Sequence, residues 1–248
     1  VCTPGQVSKY NLSCTTGAIS TGSQNEICNN SGDGYELTPC VSLATPIGDG
    51  AGKQYFVSKN GSDSNDGLLT GTGPWLTIQH AAQNLVAGET VNIMSGTYYE
   101  PEPVHPSTQS WGIRPKNSGA VNFPITYRVV PGEKVVINQR GEAPCFVLYG
   151  KQYIVIDGFE LTQCYMGGVW IMSGSGELNS DITVINNHIH HVDAASGTNV
   201  GGVKVDRAGN VLVKNNLIHN ITVGGDMTNH NAAGIHSYRM WSCLLYTS

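Results

Sequence analysis

Charge is scarce in this chain. Asp, Glu, Lys and Arg together make up 12% of 248 residues, with 13 basic and 18 acidic side chains and a formal net charge of −5. No cluster of Lys or Arg interrupts this low density, which argues against a surface built for nucleic acid. No apolar run approaches the roughly 20 residues needed to cross a bilayer, so a membrane-spanning helix is not expected. Residues that favour helices are few. A starting Met and a signal peptide are both missing, from which a mature or truncated chain is expected.

What the sequence has instead is glycine, 31 residues of it, and apolar positions dominated by Val and Ile, a composition suited to stacked strands and tight turns. Three segments align without gaps: Ile154-Val-Ile-Asp-Gly-Phe-Glu-Leu161, Ile182-Thr-Val-Ile-Asn-Asn-His-Ile189 and Val211-Leu-Val-Lys-Asn-Asn-Leu-Ile218. Their starts are 28 and 29 residues apart, and Ile125-Thr-Tyr-Arg-Val-Val130 extends the series backwards by another 29. A period of this size, built from short β-rich runs and turn residues, marks a solenoid whose repeats bury their apolar side only against their neighbours.

Four of the seven cysteines, Cys2, Cys14, Cys28 and Cys40, fall in the first forty residues among Gly, Ser, Thr and Asn. So little apolar material cannot hold a fold by burial, and two disulfides are expected, with three connectivities open; a zinc site would want closer cysteine pairs. Residues 1–40 are read as this stapled module and 41–52, with Pro46 and Gly48-Asp-Gly-Ala-Gly52, as a linker. Cys2-Thr-Pro-Gly with the later cysteines resembles short Cys-Thr-Pro-Gly modules of bacterial surface and secreted proteins. The resemblance implies an extracellular or cell-surface, extracytoplasmic address.

The second domain is read as 53–242. Tyr55-Phe-Val-Ser is a strand, Asn60 to Gly67 is an Asx-rich turn out of register with a calcium loop, and Trp75 to Val86 is an amphipathic helix with Ile78, Ala81, Ala82 and Leu85 on one stripe. Such a helix would cap the open end of the first coil. The runs Tyr55-Phe-Val-Ser-Lys-Asn-Gly-Ser-Asp, Trp75-Leu-Thr-Ile-Gln-His-Ala-Ala, Gly88-Glu-Thr-Val and Gly96-Thr-Tyr, together with the repeats, resemble the opening of right-handed parallel β-helix proteins of the pectate-lyase-like superfamily. The resemblance implies an all-β single-stranded solenoid with an N-terminal capping helix. Its members include lyases, hydrolases, esterases, epimerases, tailspikes and adhesins, so it leaves the reaction open.

In the repeats, Ile154/Ile156, Ile182/Val184 and Val211/Val213 would stack as an internal column, followed by an asparagine ladder at Asn186-Asn187 and Asn215-Asn216 that ends near Asp157-Gly158-Phe159. A second strand set recurs at Gly168-Val-Trp-Ile-Met172, Gly202-Val-Lys-Val-Asp206 and Gly234-Ile-His-Ser-Tyr238. Alternation sends two columns outward, Trp170/Lys204/His236 and Met172/Asp206/Tyr238. Aromatic faces stack on sugars while Lys, Asp and His supply acid–base groups, so this face is the candidate site for a polysaccharide, with an ordinary solvated sheet face as the alternative. Val155, Thr183, Ile185 and Leu212, outward on the first strand set, are mostly apolar and imply a covering.

The lyase branch of the superfamily implies β-elimination on an acidic, uronic-acid polysaccharide, in which cations neutralise the substrate carboxylate and a Lys or Arg removes a proton. On that reading Lys204 is the base, Arg207 and Arg239 are charge neutralisers, His236 is a further acid–base group, and Trp170, Met172, Asp206 and Tyr238 bind substrate. Calcium held by Asp193, Asp206 and Asp226 is the expected cofactor, although the superfamily's Asp-Asp-Gly stands here only as Gly224-Gly-Asp226. A glycoside hydrolase is the second choice of enzyme, and a non-catalytic adhesin or surface stalk the competing class. Six histidines between His188 and His236 invite a metal centre, but His190 and His219 are repeat-equivalent, and stacked turn positions account for them. Cys145 and Cys164 are either a pair or two small core residues, with buried thiols the favoured reading. The next rung is expected at Met240, and Cys243 to Ser248 reads as a non-native tail on a C-terminally incomplete β-helix. A monomer is expected.

Overall fold

The chain divides into two units, Val1–Ile47 and Gly48–Ser248. The computed structural model describes residues 52–100, 111–174, 179–194, 198–224, 231–238 and 240, together with the strands Ala18–Ile19, Ile27–Cys28, Tyr35–Glu36, Val41–Ser42 and Leu244–Thr247. In the first unit Ala18–Ile19 pairs antiparallel with Val41–Ser42, and Ile27–Cys28 with Tyr35–Glu36. Val41–Ser42, read from the sequence as the start of a linker, is thus a strand of that unit. The pairing of Cys2, Cys14, Cys28 and Cys40 lies outside the described residues.

The second unit is a stack of coils, each contributing strands to parallel sheets. The first sheet runs Gln54–Val57, Thr90–Ile93, Ile125–Val129, Gln152–Asp157, Asn179–Ile185, Ala208–Lys214 and Leu244–Thr247. Ile125, Ile154, Ile182 and Val211 are partners in register, so the sequence overlay and the hydrogen-bond register coincide. Ile154, Ile156, Ile182, Val184, Val211 and Val213 are buried as the internal column. Of the outward residues Val155 is 3% exposed, and Thr183, Ile185 and Leu212 are half-buried. The last strand starts at Leu244, opposite Val211, rather than at Met240, so the stretch read as a tail supplies the next rung. The residues between the two strands make this coil four residues longer than the 29-residue repeat.

After the first sheet the chain bends at Gly158, Asn186 and Asn215, all in the left-handed region with φ of 87°, 57° and 55°. Gly has no Cβ to clash there, and Asn tolerates it. The following residues form the expected ladder. Asn187 Nδ2 donates to Asn216 Oδ1 at 3.0 Å and to the Ile156 carbonyl at 3.1 Å, and Asn187 Oδ1 accepts the Phe159 amide at 2.9 Å. The ladder ends at Phe159, whose ring instead joins a core chain of edge-to-face aromatics through Phe146 to Tyr127.

Beyond the bend the structure departs from the two-set reading. A second sheet intervenes, made of Gly96–Tyr98, Val135–Asn138, Glu160–Tyr165, His188–Asp193 and Leu217–Ile221. His188, His190, His191 and His219 are therefore strand residues, not turn residues, and His230 lies outside the described residues. The expected second strand set is the third sheet: Phe146–Tyr149, Gly167–Met172, Val200–Asp206 and Ala232–Tyr238. Cys145 and Cys164 form a disulfide, the pairing left open beside the favoured thiols; their Cα atoms are 5.3 Å apart, joining the third-sheet end of one coil to the second sheet of the next.

The helix is shorter than the stripe suggested, Ile78–Asn84. Thr77 caps it by accepting the His80 amide, and Asp63 accepts the Leu76 and Thr77 amides while Glu100 takes those of Ile78 and Gln79. These acceptors satisfy the open N–H groups of the first turn. They hold Trp75 in an extended bridge with Val57, stacked on Tyr55, so the helix cannot begin there. Ile78, Ala81, Ala82 and Leu85 are buried in the core beside the end strand Gln54–Val57. Among the described residues no helix is long and apolar enough to cross a membrane.

Candidate functional site

The third sheet fixes the candidate site through register. Val147, Trp170, Lys204 and His236 are consecutive partners, as are Tyr149, Met172, Asp206 and Tyr238. Both predicted columns therefore exist, each lengthened by one residue. Inward-facing Val169, Ile171, Val203 and Val205 are buried beneath them.

The face is not a plain solvated sheet. Trp170 is 9% exposed and Lys204 8%. The Trp111 ring lies parallel to that of Trp170 at 6.2 Å, with the Arg114 guanidinium over Trp111. Lys204 Nζ sits 4.5 Å from the Trp170 ring centre and donates to the Asn199 carbonyl at 2.7 Å. Burial pulls the Lys204 amine below its ordinary pKa, and the Asp206 carboxylate partly opposes this. His236 is also pushed down, first by burial and then by the Lys204 charge.

Trp111 Nε1, Trp170 Nε1, Asp206 Oδ1 and His236 Nδ1 are buried without a hydrogen-bond partner. A buried polar atom without a partner costs on the order of 1–3 kcal/mol. These four atoms leave hydrogen-bonding capacity unspent around the third sheet.

Arg207 follows Asp206 at the bend, with φ 55°. Its Nε lies 3.9 Å from Asp206 Oδ1 and its Nη1 donates to the Ser173 carbonyl at 3.4 Å. Arg239 and Asp226 lie outside the described residues. Asp193 ends its second-sheet strand before Val200, whereas Asp206 ends the strand Val200–Asp206, which at strand rise covers roughly 20 Å.

Trp111, Val147 and Tyr149 were not legible in the sequence. Val147, Trp170, Lys204 and His236 lie 23, 34 and 32 residues apart, so third-sheet spacing varies where first-sheet spacing is regular. Loops of unequal length between the second and third sheets erase the periodic signal. Trp111 belongs to a stretch outside the repeat, tied in through the single bridge of Ile113 to Phe146.

A family model described as a right handed beta helix region matches residues 136–238. The chain is similar to the uncharacterized protein YwoF of Bacillus subtilis (strain 168), 33% identical over 157 residues, which are 58% of this chain and 30% of that protein. This chain therefore spans under a third of that relative's length. Among solved structures, a rhamnogalacturonan lyase aligns with a TM-score of 0.41 at 18% identity, covering 78% of this chain and 65% of that one. The pectate lyase Pel9A aligns with a TM-score of 0.46 at 17% identity, covering 76% and 59%. With parallel sheets stacked coil upon coil and the family match lying across them, the chain is a right-handed parallel β-helix, the fold implied by its resemblance to the pectate-lyase-like superfamily.

Proposed function

We propose that this chain is an extracytoplasmic carbohydrate-active β-helix that cleaves an acidic polysaccharide by β-elimination on the outward face of its third sheet. One observation carries the reading: the Lys204 amine is buried against an aromatic face, its pKa lowered, beside unpartnered polar atoms of Trp170, Asp206 and His236. A lysine becomes an effective base near neutral pH only when burial or positive neighbours favour its neutral form. The Cys145–Cys164 disulfide supports the extracytoplasmic address, since such bonds persist in oxidising compartments.

In this reading a uronic-acid residue stacks on the exposed ring of Tyr238, with hydroxyls meeting the carboxylate of its register partner Asp206. Arg207 faces the substrate carboxylate and offsets the charge that develops as C5 loses its proton. Lys204 Nζ takes that proton, the C5–H electron pair becomes the C4–C5 double bond, and the bond from C4 to the glycosidic oxygen breaks. The departing oxygen recovers a proton from His236, on the strand beside Lys204, or from water.

A second reading is binding without cleavage. Both the Asn199 carbonyl and the Trp170 face also suit an ammonium, which favours a cationic, non-basic Lys204. Incubation with a panel of uronic-acid polysaccharides, with and without Ca²⁺, while following the ultraviolet absorbance of the unsaturated product separates the two. Product formation that falls about 10³-fold in Lys204→Ala supports elimination. Retained binding with no product in the wild-type chain selects the second reading, and an undiminished rate in Lys204→Ala overturns the assignment of the base.

A further inference from the structure

We propose that the outward face of the second sheet carries a transition-metal site, built by Glu160, His188 and His190 with His219 completing it from the next coil. The site is on a different sheet from Lys204 and does not depend on the polysaccharide reading. Glu160 and His188 are register partners, and Thr162, His190 and His219 form the adjoining column. Ligand atoms of Glu160, His188 and His190 all lie within 4.8 Å of one another. His188 Nε2 stands 2.8 Å from His219 Nε2, and His190 Nε2 is 3.3 Å from Glu160 Oε1. Two successive coils thus send two imidazole nitrogens and one carboxylate oxygen toward one another, and the third sets His219 beside His188.

Lone pairs outnumber protons in this cluster. A neutral imidazole has one N–H, so the facing nitrogens of His188 and His219, and of His190 and His191 at 2.6 Å, can each share a single proton. Protonating them all would crowd like charges. Neutral imidazole is the ligating form. The surrounding contacts orient the set: Thr162 Oγ1 meets His190 Nδ1 at 3.2 Å, leaving Nε2 for a metal, and Lys134 Nζ holds Glu160 Oε2 at 2.7 Å, leaving Oε1. Three nitrogens and one oxygen suit a borderline divalent ion such as Zn²⁺, not Ca²⁺ or Mg²⁺, which prefer oxygen.

The test is calorimetric titration of the full chain with Zn²⁺, free thiols first alkylated so that cysteines do not compete. One ion per chain is expected, with affinity falling at least about 100-fold in His190→Ala and at least about ten-fold in Glu160→Gln. Zn²⁺ should also raise the melting temperature of the wild-type chain and not that of His188→Ala, whose circular dichroism reports whether it folds. Lys204→Ala should bind as the wild type does. Absence of Zn²⁺ binding, or an affinity unchanged in all three cluster variants, would overturn the site.

Discussion

Lys204 is the residue on which the chemistry turns, because its neighbours act on its proton in opposite directions. Burial disfavours the ammonium and lowers the pKa below 10.5, while the Asp206 carboxylate raises it. If the neutral amine is the base, kcat/KM rises with pH and levels off at the pKa in the folded chain, below 10.5. Asp206→Asn removes the opposing charge, so the inflection should move to lower pH, a shift read directly from the two pH–rate profiles; an inflection that stays in place would separate Asp206 from the base. The sign for stability follows from the same lowering. Between the folded and unfolded pKa values the unfolded chain holds the extra proton, so this residue makes stability rise with pH across that window.

At the scale of the element, the asparagine ladder and the glycine column set how closely coils approach. Asn187 is buried and satisfies the Phe159 amide, the Ile156 carbonyl and the Asn216 side chain at once. Asn187→Ala takes the side-chain partner from the Phe159 amide and the Ile156 carbonyl, while Asn216 Oδ1 keeps the Asn187 backbone amide, and should cost about 3 kcal/mol in denaturant unfolding, whereas exposed Asn186→Gly, which keeps the left-handed bend, should cost under about 1 kcal/mol. Equal losses would count against the ladder. Gly202 shows the same closeness: a Cβ there would sit 2.4 Å from Ile218 Cγ2 and 2.8 Å from the Gly234 carbonyl, so the third sheet is drawn tightly against the second. The ladder and the first-sheet column were readable from three aligned segments, since β-branched alternation and Asn pairs recur at fixed spacing. The same alignment set Glu160 opposite His188, two residues of the proposed metal site, but the acid and the imidazole are different residue types at equivalent places, and His190 and His219 lie beyond the aligned segments.

For the whole molecule, stability is distributed along the stack, each coil resting on its neighbours. The Cys145–Cys164 bond spans 19 residues and ties one coil to the next. Removing it by the double change to Ala should lower stability by about 3 kcal/mol in oxidising buffer, measured as a shift in the urea midpoint. An unchanged midpoint would show that packing alone joins those coils. Pairing and thiols both stay open in the sequence, with thiols favoured, because nothing local provides a register between residue 145, at the start of a third-sheet strand, and residue 164, inside a second-sheet strand; their proximity exists only once the coil closes.

The sequence by itself determined the solenoid, its internal β-branched column, the asparagine bend and the two outward columns of the third sheet, because each rests on local periodicity that survives without knowing what lies alongside. Tertiary structure alone decided the second sheet, the disulfide, the burial of Lys204 beneath Trp170 and the meeting of Glu160 with His188 and His190. Those depend on which strands become neighbours across a coil, and hence on loop lengths and hydrogen-bond register, which no local pattern encodes.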